Sequence, residues 1–416
     1  MKHPKMQYTY VGIDSHKNTH TAVFMDCFFD KLGEITFDNL PSAFCEFLSK
    51  ASEYRIDGTE FLFGLEDTNS FGRLLTIFLL DNCQQVKHVN AHLVAKERKN
   101  QNITHKTDSV DAECAARILL SKFGELPNAD PQNKYWILRT LVLRRNQISK
   151  SNTRLKMHLH TLLTQHYPNY RKFFTYIDGK TSIAFFKNYP SPKHLENVSK
   201  EDLTKFLREH SNDWFGEEKA ELILSSLENT TVEFQETRDD TVRSIIRHFE
   251  FNLEELERME KSMALFLESL DCTLTTMAGL DVVSACQILS CIGDIKRFST
   301  PAKLARYSGI APITYASGQK DMQFANKRGN RELNSLFFAL AVRVTSPIGH
   351  HNKLVNKFFY DYFHRKQAEG KTKRQALKCV ERRLVNIVWT MLTHNEDFVN
   401  PPVFDMPKTL DNADEQ

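Results

Sequence analysis

Nothing in this 416-residue chain offers a membrane a hold: it has no signal peptide, and no apolar run is long enough to cross a bilayer. Its eight cysteines form no C-x-x-C pair and show no zinc spacing. That argues against a disulfide-stapled secreted scaffold and a cysteine-held metal, and it fits free thiols in a reducing, cytoplasmic setting. Sequons such as Asn102-Ile103-Thr104 then carry no meaning. Net charge is small as well, +3 overall, so partners must be read from local clusters. A hydrophobic content of 41% is enough for true cores, and the length fits two or three domains.

What is present begins with β-rich segments. Gln7 to Ile13 reads as a strand, a polar turn follows Asp14, and Thr21 to Met25 and Glu34 to Phe37 read as the next two strands. Pro41 to Ser52 reads as a helix. Phe61 to Leu65 is wholly apolar, as a strand buried on both faces would be. A helix from about Phe71 to Leu80 and a strand at Val86 to Val89 complete an α/β layer pattern.

Two of these strands end in acids, Asp14 and Glu66, and strand ends are where ligand sites of α/β sheets collect. Downstream, Asp108 and Asp111 stand three residues apart at the start of a helix in which Val110, Cys114, Arg117, Ile118 and the small alanines read as one buried face. A capping box, with Asp108 as the cap and Asp111 favouring the positive helix end, explains that pair without chemistry. Four carboxylates gathered together would need a cation, and oxygen ligands without His or Cys suit Mg²⁺ or Mn²⁺. Asp67, Glu97 and Glu113 are weaker candidates, Glu113 because it faces elsewhere on its helix.

Tyr10-Val-Gly-Ile-Asp14-Ser-His-Lys17, Gly64-Leu-Glu66 and Lys106-Thr-Asp108-Ser-Val-Asp111-Ala together resemble the D-E-D-D set of the insertion-sequence 110 family of transposases. These are also called bridge-RNA-guided recombinases and are similar to Piv-type site-specific invertases. The resemblance implies a RuvC-like (RNase H-like) N-terminal domain in which Asp14, Glu66, Asp108 and Asp111 bind Mg²⁺ beside the scissile phosphate.

The remainder of the chain is read as helical. Residues 131–177 contain no acid and nine Lys or Arg. Within them Tyr135 to Gln165 reads as a long helix, apolar along Leu138, Leu141, Ile148, Leu155, Leu159 and Leu162. Arg139, Arg144, Arg145, Lys150, Arg154 and Lys156 cover much of its other side. A face of one sign repels itself, so polyanion contact is expected, against the plainer reading of a solvated face. Between residues 217 and 261 the sign reverses, with thirteen acids and six bases, and Val242, Ile246, Phe249, Leu253, Leu256, Met259, Met263 and Phe266 form the seam of a coiled coil or antiparallel helical hairpin, packed on another helix or another subunit, or else one helix of a globular bundle.

Leu274 to Asp294, with Gly279 and Gly293 at the turns, reads as a helix-hairpin-helix able to grip phosphates, or as a plain helical hairpin. Ser308 to Pro312, Ser317-Gly318 and Lys327 to Asn330 resemble the family's C-terminal transposase motifs, and its nucleophilic serine falls on Ser317. Locally Ser317-Gly318 is only a turn. Lys320, Lys327, Arg328 and Arg331 can balance a phosphate's charge. The chain departs from the family at Ala278, at Gln319 and at Asn334. Near the end, Lys371, Arg374, Lys378 and Arg382 stripe a basic helix, as a phosphate-backbone contact or a solvated face.

Four regions are expected: a catalytic domain (1–125), a basic-helix and coiled-coil region (126–270), a C-terminal transposase domain (271–398) and a tail (399–416). The resemblance implies a recombinase that mobilises its own insertion sequence with Mg²⁺ or Mn²⁺. It also implies donor and target DNA, a structured non-coding RNA, a dimer or tetramer, and Ser317 attacking a phosphate. The alternatives are a Piv-type invertase, a junction resolvase using metal and water alone, and an inactive nucleic-acid-binding remnant.

Overall fold

The computed structural model describes residues 3–66, 71–130, 134–228, 233–317, 320–327, 329–348 and 353–400, excluding the side chains of 314–323 and 348. Its internal contacts divide it into two units, residues 1–133 and 134–416. The expected boundary near residue 270 falls inside the second unit.

The first unit is a mixed sheet covered on both faces. Its elements are β1 (Tyr8–Ser15), β2 (Thr19–Met25), β3 (Lys31–Asp38), α1 (Pro41–Ala51), β4 (Glu60–Glu66), α2 (Arg73–Asp81), β5 (Gln85–Val89), α3 (Ala91–Asn100) and α4 (Asp108–Ser121). The strand order is β3-β2-β1-β4-β5. The first three strands are antiparallel neighbours, whereas β1, β4 and β5 run parallel. Alternation sorts β1 between two cores: Val11 and Ile13 join α1 and α2 side chains on one face, and Tyr10 joins α3 and α4 side chains on the other. On the α4 face Gly12 leaves no room for a side chain, since a Cβ there would lie 2.1 Å from the Ala112 carbonyl oxygen. Gly12, beside Gly64 on β4, and the small residues Ala112 and Ala116 of α4 thus let that helix lie directly on the sheet.

The second unit is built on two long helices, α5 (Lys134–His166) and, after α6 (Lys180–Asn188), α7 (Lys200–Ser211) and α8 (Glu217–Ser225), α9 (Gln235–Glu268). Contacts between Arg145 and Glu260, Asn152 and Asn252, and Gln165 and Arg238 show that α5 and α9 run antiparallel. α9 therefore has its partner within this chain. Its seam shifts at one point: Leu253 is 41% exposed, and the buried position beside it is Asn252.

One core, around Phe173, Phe185 and Phe186, fills the space among the α5 C-terminal half, α6, α7, α8 and the start of α9. The other joins the opposite ends of α5 and α9 to α10 (Val282–Ile292), α11 (Pro301–Tyr307), α12 (Arg331–Thr345), α13 (Lys357–Ala368) and α14 (Lys373–His394). Between α11 and α12, β6 (Ile313–Ser317) pairs antiparallel with β7 (Lys320–Phe324). The stretch read as a helix-hairpin-helix holds one α-helix, α10, with single 3-10 turns at Leu274–Thr276 and Ile295–Arg297.

Candidate active site

Strand parity brings the acids together. Asp14 and Glu66 are direct partners in the parallel β1–β4 pair, two residues beyond the glycine pair Gly12 and Gly64. Because side chains alternate, they share the face on which α4 lies. α4 begins there, and its cap is Thr107, whose hydroxyl accepts from the Val110 N–H. Asp108 is therefore not the cap that the sequence allowed it to be. It occupies the first turn with Asp111, and both carboxylates are left for other partners.

The partners are specific. His16 Nε2 lies 3.1 Å from Asp14 Oδ2 and 3.1 Å from Asp108 Oδ1. One donor atom from each of Asp14, His16 and Asp108 fits within 4.8 Å of the others, a spacing able to hold a metal ion. His16 thus adds an imidazole to a set expected to be oxygen only. Asp111, with 6% of its side chain exposed, pairs with the Arg98 guanidinium from α3.

Electrostatics tie Glu66 to the group. Burial, then repulsion from Asp14 and Asp111, pushes its carboxyl up to about 7, against the pull of Lys106 and Arg98. Its Oε2 is buried without a hydrogen-bond partner. Asp14 is also raised, by burial first and by Asp111 and Asp108, while His16 opposes the shift. Glu113, as expected, faces elsewhere and binds Arg117. Glu97 accepts from Gln101, and Asp67 lies outside the described residues.

In the second unit Ser317 ends β6 opposite Lys320 of β7, but its side chain, that of Lys320, and Gly318 and Arg328 lie outside the described residues. What is described is the base from which these strands rise. Gly309 has φ +71°, and a Cβ on Gly329 would lie 2.3 Å from the Gly309 backbone. Asn330 donates its N–H to the Tyr307 carbonyl at 2.7 Å and caps α12 by accepting from Leu333. Asn334, one of the departures noted above, donates to the Ser308 carbonyl at 2.9 Å. The motifs at 308–312 and 327–330 therefore grip one another. Lys327 and Arg331 are exposed beside them.

The basic positions separate into two kinds. Arg139, Arg144, Lys150 and Arg154 are exposed on α5 and make no ion pair among the described residues. Arg145 instead binds Glu260 and so ties α5 to α9, and Lys156 binds Asp178 in the turn before α6. On α14, Lys378 binds the buried Glu381, and just before that helix Lys371 lies 3.6 Å from Glu369. Arg374 is exposed, and Arg382 buries its Nη1 atom. The stripe expected as a phosphate-backbone contact or a solvated face is thus partly structural.

Sequence reasoning passed over His16 and Arg98. His16 stood within a quoted motif, but in a polar turn where histidine has many uses. Arg98 belongs to the basic end of α3, which reads as solvated charge.

An acidic cluster at the strand ends of an α/β unit, followed by a helical unit with an exposed basic helix, is the outline of an enzyme that works on nucleic acid, and the comparisons give the class. Residues 11–168 match the DEDD transposase model of the IS110 type. Residues 272–356 match the transposase model of the IS116/IS110/IS902 family. The insertion element IS116 44.8 kDa protein of Streptomyces clavuligerus is 24% identical over 413 residues, covering 94% of this chain and 96% of its own. The insertion element IS110 43.6 kDa protein of Streptomyces coelicolor is 28% identical over 298 residues, 69% of this chain and 70% of that one. The pilin gene-inverting protein of Moraxella lacunata is 23% identical over 407 residues, 94% of this chain and 98% of its own. The protein is a DNA transposase/recombinase. It belongs to the IS110 family.

Proposed function

We propose that the chain mobilises its own insertion sequence, with Asp14, Glu66, Asp108 and Asp111 holding Mg²⁺ or Mn²⁺ beside the DNA phosphate and Ser317 as the nucleophile. The observation that carries the reading is the convergence of Asp14, Glu66, Asp108 and Asp111 on one face of the sheet end. The donor set fits such an ion. It is mainly carboxylate, it includes a buried Glu66 oxygen without a hydrogen-bond partner, and its mutual repulsion calls for positive charge. Bound there, the ion supplies charge neutralisation and polarises phosphate oxygens. His16 orients Asp14 and Asp108, and Arg98 holds Asp111 in place.

Ser317 attacks the phosphorus. Its Oγ–P bond forms as a P–O bond of the strand breaks, the serine proton leaves to solvent or a base, and the released DNA end departs as a hydroxyl. The rigid base at Gly309, Gly329 and Asn334 supports this reading by fixing where β6 starts. The first unit is RuvC-like, a reading supported by its strand order and its helices on both faces. Residues 274–294, one 3-10 turn followed by α10, contact phosphate through the backbone at Gly279 and Gly293, a reading supported by the positive φ of both glycines. A structured non-coding RNA selects donor and target DNA, and sites are assembled from two or more subunits; both points rest on the family resemblance.

The test is a denaturing gel after incubation with end-labelled donor DNA and the RNA transcribed from the flanks of the element. Wild-type protein should become covalently attached to label. Folded Ser317→Ala and Asp14→Asn should not, although Ser317→Ala should still bind DNA and metal. Recombination by Ser317→Ala, or full cleavage in excess chelator, would overturn the assignment. A second reading, inversion of a DNA segment, is favoured by the alignment of the pilin gene-inverting relative along 94% of the chain. Substrates carrying two inverted sites separate the two readings by product size.

A further inference from the structure

A cavity of about 350 Å³ opens beside the C-terminal half of α5, lined by Met157, His160, Tyr170, Phe174, Ser182 and Phe186, among others. Its walls are aromatic, with Tyr170 5%, Phe174 8% and Phe186 1% exposed. Its polar groups are of two kinds. His160 Nδ1 and the Tyr170 hydroxyl hydrogen-bond each other at 2.8 Å, while the Ser182 hydroxyl has no hydrogen-bond partner although Ser182 is only 1% exposed. A buried hydroxyl without a partner is unfavourable unless something that enters the cavity meets it. Arg171 and Thr175 line the same cavity and are exposed.

The approach to this cavity is the exposed face of α5. Arg144, Gln147, Lys150, Arg154 and Met157 follow one another at spacings of three and four, all exposed, and Met157 is both the last of the row and part of the cavity lining. At 1.5 Å per residue the row is about 20 Å long, enough for three successive phosphates of an extended strand. Aromatic walls, hydrogen-bonding groups and a basic approach are the parts that bind an unpaired base on a phosphodiester chain.

We infer that a single strand of nucleic acid runs along the outer face of α5 and inserts one unpaired base into the cavity between Tyr170, Phe174 and Phe186, within reach of the Ser182 hydroxyl. This rests on the reading of α5 as a polyanion contact and adds a base site to it. RNA and DNA share the chemistry, and the sugar decides between them.

The experiment uses the full chain and short single-stranded oligonucleotides, RNA and DNA in parallel, each carrying 2-aminopurine or an abasic site at one position moved along the strand. At one position the 2-aminopurine fluorescence should change on binding, and an abasic site there should weaken binding about tenfold, within the range set by stacking a single base. Thr175→Trp, which blocks the mouth from an exposed position, should remove both effects while leaving the thermal midpoint unchanged. A tighter RNA than DNA series identifies RNA as the occupant, and the reverse identifies DNA. If every abasic oligonucleotide binds like the intact one, or Thr175→Trp binds like wild type, the base site is refuted. The salt dependence conferred by Arg144, Lys150 and Arg154 would then survive as the separate, simpler reading.

Discussion

Glu66 and Arg98 make the state of the acidic site measurable without DNA. The folded carboxyl of Glu66 titrates near 7, above the usual 4.5. Between those values the folded chain holds a proton that the unfolded chain has released, so the folded state loses stability as pH rises through that window. In chelator-treated protein the thermal midpoint should therefore fall between about pH 5 and about pH 8, and Glu66→Gln should flatten that fall. Equal slopes for the two proteins would mean that Glu66 is not raised. Arg98 carries a second test. Removing it leaves Asp111 buried and unpaired, a loss of roughly 2–3 kcal/mol, below the 3–5 of a fully buried pair because Arg98 keeps some exposure. Added Mg²⁺ should restore the midpoint of Arg98→Ala more than that of wild type, as calorimetry would record.

The acids themselves were legible, because a strand that ends in a carboxylate and a helix that begins with two are patterns of the chain alone. His16 and Arg98 were not, because nothing local says that a turn histidine will bridge Asp14 and Asp108, or that α3 will aim its basic end at Asp111.

At the scale of elements, the glycines decide which parts can touch. Gly329→Ala would force a side chain into the Gly309 backbone and shift the base of β6 and β7. Since a displacement of about 1 Å can lower a rate about a hundredfold, strand exchange should drop by that order while metal binding by the first unit is unchanged. Unaltered exchange in a folded variant would show that the base does not position Ser317. The lengths of α5 and α9 were readable from their apolar spacing, since long periodic helices announce themselves. The pairing of α9 with α5 was left open, and the spacing ran through Leu253 because a seam of large apolar residues hides one polar interruption. Asn252 takes that place by bonding Asn152 at 2.8 Å, a partner 100 residues away.

Taken whole, the molecule carries its positive charge unevenly, and the fold separates working charge from holding charge. Changing Arg144, Lys150 and Arg154 together to Ala should lower the slope of log affinity against log salt by about 2, the release expected from three single-strand phosphates. Arg145→Ala should leave that slope in place and lower stability instead, because its guanidinium is spent on Glu260. A slope unchanged in the triple variant would return this face to plain solvent.

The Asn152–Asn252 pair lies where the two long helices leave one hydrophobic cluster and enter the other. Chain leaves the hairpin near Gln165 and returns near Arg238, side by side, so both connections to the helices between them lie at one end of the hairpin. The loops among those helices can change in length without rethreading the rest of the chain, as long as the core that α6, α7 and α8 share with α5 and α9 is kept. A transposase that must keep its chemistry has in those outer loops a place to vary.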